Sequence, residues 1–178
     1  MPADITEFER VIWHKLDVTK SLNDTLTQIL NSIDNTQEIP QTIEEKHNLL
    51  IEILDKQRCL LIFDEIQNLF SHGKYSGNYQ TQNTKYQTLW AKIIKETHQS
   101  CVILISDKKP KEIAEIELNQ PPVGILELKG LKEEEAKELL KEKKLTDENH
   151  WTTLINIYQG NLLWLDYIAI MIKYVKVK

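Results

Sequence analysis

Two adjacent acids, Asp64 and Glu65, close an unbroken apolar run, Leu60-Leu61-Ile62-Phe63. Paired carboxylates can do two kinds of work: one holds a divalent cation through its oxygens, and the other orients or deprotonates a water molecule. A short apolar run bounded by polar residues suits a strand buried on both faces of a parallel sheet. The carboxyl ends of such strands are where α/β sheets place their ligands. The plainer reading of the pair is a polar turn that caps the following segment.

Other residues with chemical potential are few. A second apolar run, Cys101 to Ile105, ends in Ser106-Asp107-Lys108. Gly73-Lys74 lacks a partner glycine five residues upstream and is followed by Tyr75, so it reads as a surface turn and not a phosphate loop. Cys59 and Cys101 each open an apolar run, which predicts buried, reduced thiols and fits a cytosolic compartment. Two neighbouring strand starts would also allow a disulfide. No CxxC or Cys/His cluster with metal spacing occurs. His47, on the face of a predicted helix, is expected to carry no chemistry.

The elements that must position these residues follow from periodicity. A strand is predicted near Arg10 to Leu16. Ser21 with Asp24 opens a helix whose apolar side is Leu22, Leu26, Ile29, Leu30 and Ile33. Pro40 breaks it, and Thr42 with Glu45 makes a capping box for the next helix, with Ile43, Leu50 and Leu54 on its face. After the strand ending at Asp64, Ser71 to Thr84 shows no periodicity and reads as an unusually long loop. Tyr86, Leu89, Trp90, Ile93 and Ile94 then mark a helix, Cys101 to Ile105 a strand, Lys111 to Glu117 a short helix and Val123 to Leu128 a further strand. From Leu131 the pattern is purely helical. Gly160 stops one helix. The last helix, about Leu162 to Val175, is expected to turn Leu163, Trp164, Tyr167, Ile168, Met171, Ile172 and Val175 inward as core.

The chain of 178 residues, 41% hydrophobic and 28% charged, is long enough to bury a core. Its 22 basic and 27 acidic side chains leave a net charge of −5, with no global drive toward nucleic acid or anionic membranes. No signal peptide is visible at Met1 to Glu7, and no run approaches the roughly 18 apolar residues of a membrane span. Alternating strands and helices predict an α/β fold: a parallel sheet with flanking helices over residues 1–129, followed by a small helical lid at 130–178.

Four blocks in order resemble one family. They are F-E-R-V-I-W at Phe8 to Trp13, C-L-L-I-F-D-E-I-Q-N-L-F at Cys59 to Phe70, S-C-V-I-L-I-S at Ser100 to Ser106, and L-E-L-K-G-L at Leu126 to Leu131 with Y-Q-G-N-L-L-W-L at Tyr158 to Leu165. Together they resemble the NB-ARC type of STAND ATPase, a P-loop NTPase of AAA-like core found in multidomain signalling proteins. The resemblance implies ADP or ATP with Mg²⁺ as cofactor. It implies Asp64 as the metal-associated acid, Glu65 as the residue that positions or deprotonates water, and Ser106, Lys108 and Leu162 as nucleotide contacts.

The family's phosphate loop, Walker A, is not among these residues. Its strand would lie between the Cys101 strand and the Val123 strand, so the sheet is expected to close up or to stop short. Where the family often carries an arginine, Ser106 is followed by Asp107 and then Lys108; where it usually has proline, Leu162 stands. The expected function is therefore the core of an ADP/ATP-binding signalling switch, with nucleotide binding impaired in this chain and hydrolysis by it alone not expected. The alternative is a non-catalytic interaction or oligomerisation module derived from that fold. Expected partners are other domains or copies of the parent protein, with pairing through an open sheet edge, and neither nucleic acid nor membrane. The expected compartment is cytoplasmic.

Overall fold

Three parallel strands, β1 (Arg10–Lys15), β2 (Cys59–Asp64) and β3 (Cys101–Leu104), lie in the order β1-β2-β3. The computed structural model that shows them describes residues 7–36, 38–71, 78–110, 113 and 123–174. Helices α1 (Leu22–Ile33) and α2 (Ile43–Lys56) connect β1 to β2, and α3 (Lys85–Lys95) connects β2 to β3. The strand order advances in one direction. Right-handed crossovers then carry all three helices to the same face of the sheet.

Burial agrees with that geometry. Ile12, Cys59, Leu61 and Phe63 join Leu26, Ile29, Leu50, Leu54, Leu89 and Trp90 in one core, with Val102 and Leu104 packed against it. The alternate positions point the other way. Leu60 and Ile62, on the central strand, are buried but stand outside that core. Val11, Trp13 and Ile103, on the outer strands, are exposed, Trp13 by 62%. On this second face the central strand is covered, while apolar side chains of β1, of β3 and of Ile105 just beyond β3 are exposed.

The helices start where their caps predict. Asp24 N–H donates to Ser21 Oγ at 3.2 Å and Ser21 N–H to an Asp24 carboxylate oxygen at 3.3 Å. Thr42 and Glu45 make the same reciprocal pair. Buried Lys46 on α2 donates to Asn23 Oδ1 and Thr27 Oγ1 on α1, each at 2.7 Å, and so satisfies its ammonium while clamping the two helices together. In the core, Phe63 meets Trp90 edge to face at 4.8 Å.

The chain forms two compact units, Met1–Gly124 and Ile125–Lys178. The second contains α4 (Glu133–Glu142), α5 (Trp151–Ile157) and α6 (Leu162–Tyr174). Its own core is Ala136, Leu140, Trp151, Ile155, Leu165 and Ala169.

Several expectations are corrected. The strand predicted at Val123 to Leu128 does not form. Among the described residues no neighbour pairs with it, and Leu126 and Leu128 are fully solvated; an apolar alternation becomes a strand only where a partner takes up its backbone groups. Among the described residues the sheet thus has three strands, in line with the expected outcome that it stops short. The last helix does not turn its aromatic and Met stripe inward: Leu165 and Ala169 are its buried residues, and Leu163, Trp164, Tyr167, Met171 and Ile172 are exposed. Cys101 is exposed, not buried, and both thiols are free. Within the long loop, Thr81–Asn83 forms a 3-10 turn and Phe70 bridges Tyr79. Gly73-Lys74 and most of the Lys111 to Glu117 helix lie outside the described residues.

Candidate functional site at the carboxyl ends of the strands

Parallel strands end together, so the polar residues that follow them share one rim. Here the rim is stitched by backbone. Leu16 N–H donates to Asp64 O at 2.9 Å, Ile105 N–H to Phe63 O at 2.8 Å, and Ile66 N–H to Ile105 O at 3.1 Å. These bonds bring Lys15, Asp64, Glu65 and the Ser106–Lys108 turn onto one edge of the sheet. The chain leaves β2 through Glu65, whose φ of 59° and ψ of 41° are left-handed, a conformation unusual for a residue with a side chain. A 3-10 turn, Ile66–Leu69, follows at once.

Both carboxylates are held. Asp64 Oδ1 accepts the Glu65 N–H at 2.8 Å, and Oδ2 accepts Trp13 Nε1–H at 3.2 Å. One Glu65 oxygen pairs with Lys15 Nζ at 2.9 Å, and the other accepts Asn68 Nδ2–H at 3.0 Å. Asn68 also donates to Leu16 O at 3.1 Å, which ties the turn back to the end of β1. At β3, Ser106 Oγ accepts the Lys108 N–H at 3.2 Å.

The Lys15 hydrogen bond, and after it that of Asn68, holds the Glu65 carboxyl below the usual glutamate range. A depressed folded-state value means that the stabilisation from this contact is in full force at neutral pH and is lost as pH falls through the lowered value. Lys15→Ala is expected to return the Glu65 titration toward the ordinary glutamate range. Carboxyl-carbon NMR across an acid titration reads it directly, and an unmoved Glu65 would show that Lys15 is not its partner in solution.

Four of the five residues singled out in the sequence thus meet at one edge: Asp64, Glu65, Ser106 and Lys108. Leu162 lies in the second unit, exposed at the first position of α6. Sequence reasoning missed Trp13, Lys15 and Asn68. Lys15 could have been found, because it stands in register opposite Asp64 when two parallel strands end together. Asn68 shows only as a short step past Glu65, and the indole contact of Trp13 has no sequence signal.

The chemistry these groups allow is specific. Asp64 keeps lone pairs free beyond its two hydrogen bonds, and Mg²⁺ is held by one or two carboxylates, its waters and substrate phosphates. No cluster of three or more His, Cys, Asp or Glu suited to a metal occurs among the described residues. The acidic end therefore fits a hydrated Mg²⁺ brought with a phosphate ligand, not a metal bound by protein alone. The described residues do not supply the phosphate side. A cradle of backbone N–H groups uses glycine turns at the strand ends, and the described glycines are Gly124, Gly130 and Gly160, all beyond β3. Glu65, with both oxygens engaged, holds the Lys15 ammonium and is not a free base.

No family model matches the chain. It is 32% identical over 169 residues, 93% of its length, to an uncharacterized WD repeat-containing protein of Nostoc sp. (strain PCC 7120), and spans 13% of that protein. No helix among the described residues is long and apolar enough to cross a membrane.

Proposed function

We propose that this chain is the core portion of an NB-ARC/STAND-type ADP/ATP signalling switch that works within a larger polypeptide. The observation that carries the reading is the Asp64-Glu65 pair at the carboxyl end of the central strand of a parallel sheet, where ligands of such sheets bind. Asp64 is the group this chain offers to a nucleotide's Mg²⁺, with Ser106 and Lys108 on the adjacent turn. Glu65 would act on water only after releasing Lys15. The similarity to a small part of a long WD repeat-containing protein supports a module that acts beside other domains. Those domains, or further copies of the parent, are the proposed partners, and the cytoplasm is the proposed compartment.

Nucleotide binding by the chain alone is weak on this reading, because the described residues supply the acidic half of the site without the phosphate cradle. Isothermal titration calorimetry with ADP and with ATP, each with Mg²⁺, is expected to give Kd values weaker than about 100 µM. Sub-micromolar binding would contradict the impaired site.

A second reading is a protein-interaction module, and the exposed apolar side chains of Val11, Trp13, Ile103 and Ile105 favour it. The double change Asp64→Asn, Glu65→Gln separates the two. Partner binding survives it if the interaction module is right, and nucleotide-dependent behaviour of the parent is lost if the switch is.

A further inference from the structure

Helix α6 is apolar almost all round. Its 13 residues carry only two charges, Asp166 and Lys173, and Asp166 is paired with Lys143. A helix of this kind is normally buried. Yet Leu165 and Ala169 alone are buried, and they occupy one side of it. Almost opposite them, by the helical period, stand Leu163, Tyr167, Ile170 and Tyr174. All four are exposed, Leu163 by 75% and Tyr174 by 81%.

Their spacing of four, three and four residues is the heptad seam along which one helix packs on another. Trp164 and Met171 flank the seam on one side and are also exposed; Trp164 is fixed there by stacking on Tyr158 at 6.3 Å.

A membrane surface suits this helix poorly, since interfacial helices set a polar face rich in Lys or Arg against the apolar one, and α6 offers Lys173 alone. A second copy suits it well. In an antiparallel pair centred between Tyr167 and Ile170, each tyrosine meets an aliphatic side chain, Tyr167 on Ile170 and Tyr174 on Leu163. No like charges are brought together along the seam. The exposed parts of these six side chains, the most that the pair could cover, amount to roughly 600 Å² per copy, against about 800 Å² per partner in a standard specific interface. That area is enough for a weak, concentration-dependent dimer.

We propose that the Leu163–Tyr174 seam of α6 packs antiparallel against the same seam of a second copy of this chain. The contact is two-fold and self-complementary, so it closes at the dimer. It is independent of the nucleotide reading.

Sedimentation equilibrium on the full chain from about 1 to about 100 µM is expected to show a monomer–dimer equilibrium. Tyr167→Lys is expected to be monomeric throughout with an unchanged far-UV spectrum, and Ile103→Lys, on the sheet, to dimerise as the parent does. Orientation is read by cross-linking in a Cys101→Ser background. A mixture of Leu163→Cys and Tyr174→Cys proteins is expected to give mainly the mixed disulfide, and either protein alone little. A chain that stays monomeric at the highest concentration overturns the proposal. So does a dimer that survives Tyr167→Lys or is lost with Ile103→Lys, and so do self-linked products that dominate the mixture.

Discussion

Phe63→Ala is expected to destabilise the first unit by about 4 kcal/mol, read as a shift in its urea midpoint at unchanged slope. Phe63 has no solvent exposure and lies on the central strand. Its ring sits edge to face with Trp90, which in turn packs beside Tyr86 at 5.8 Å. Truncation loses the transfer energy of the ring, an aromatic pair, and contacts that the α3 helix cannot recover by moving inward. A cost of this size is a large part of what a domain normally has. It also bears on the site, because Phe63 O anchors Ile105 and Asp64 is the next residue. A cost below about 1 kcal/mol would show that the core over Phe63 collapses freely and that the strand end is not held from beneath.

The second large effect is expected at Gly160. Its φ is +68°, and a Cβ there would meet the backbone oxygen of Leu131 at 2.2 Å and its nitrogen at 2.9 Å. Those backbone atoms cannot swing away, since Leu131 N–H donates to Gly160 O at 2.7 Å. Gly160→Ala therefore adds left-handed strain to a backbone clash, and the second unit is expected to lose about 3 kcal/mol. Gly124→Ala is the control: no atom lies within 4 Å of the added carbon. Thermal unfolding followed by NMR at the indole N–H signals of Trp151 and Trp164, the two tryptophans of the second unit, compares the two. Equal melting behaviour would remove the close approach of Gly160 to Leu131 from the account.

What the sequence made legible depended on whether the signal was local. The reciprocal caps at Ser21/Asp24 and Thr42/Glu45 lie within four residues, and both formed. The apolar run into Asp64-Glu65 marked a buried strand with acids at its end, and that strand is the central one. Signals that depend on distant partners failed. Val123 to Leu128 alternates like a strand, but no described strand lies beside it. Cys101 opens an apolar run, yet it sits on the side of the sheet away from α1, α2 and α3 and is exposed. In α6 the apolar residues run nearly all round, so periodicity gave no direction, and of the stripe assigned to the core Leu163, Trp164, Tyr167, Met171 and Ile172 are left in water, Ile168 is half-buried and Val175 lies outside the described residues. At the rim, Asp64 and Glu65 could be seen in the sequence. Their restraint by Trp13, Lys15 and Asn68 could not, because it arises from strand register and from the left-handed turn at Glu65.

That restraint and the nucleotide reading meet in one measurement. Backbone amide shifts of the full chain, mapped by two-dimensional NMR during titration with Mg²⁺·ATP into the millimolar range, show where a weak ligand sits. The account predicts that the shifts cluster at Asp64, Glu65 and Ile66 and at Ser106 to Lys108, and that Asp64→Asn abolishes them. Shifts that leave this rim untouched at the highest concentration, or that persist in Asp64→Asn, would contradict it.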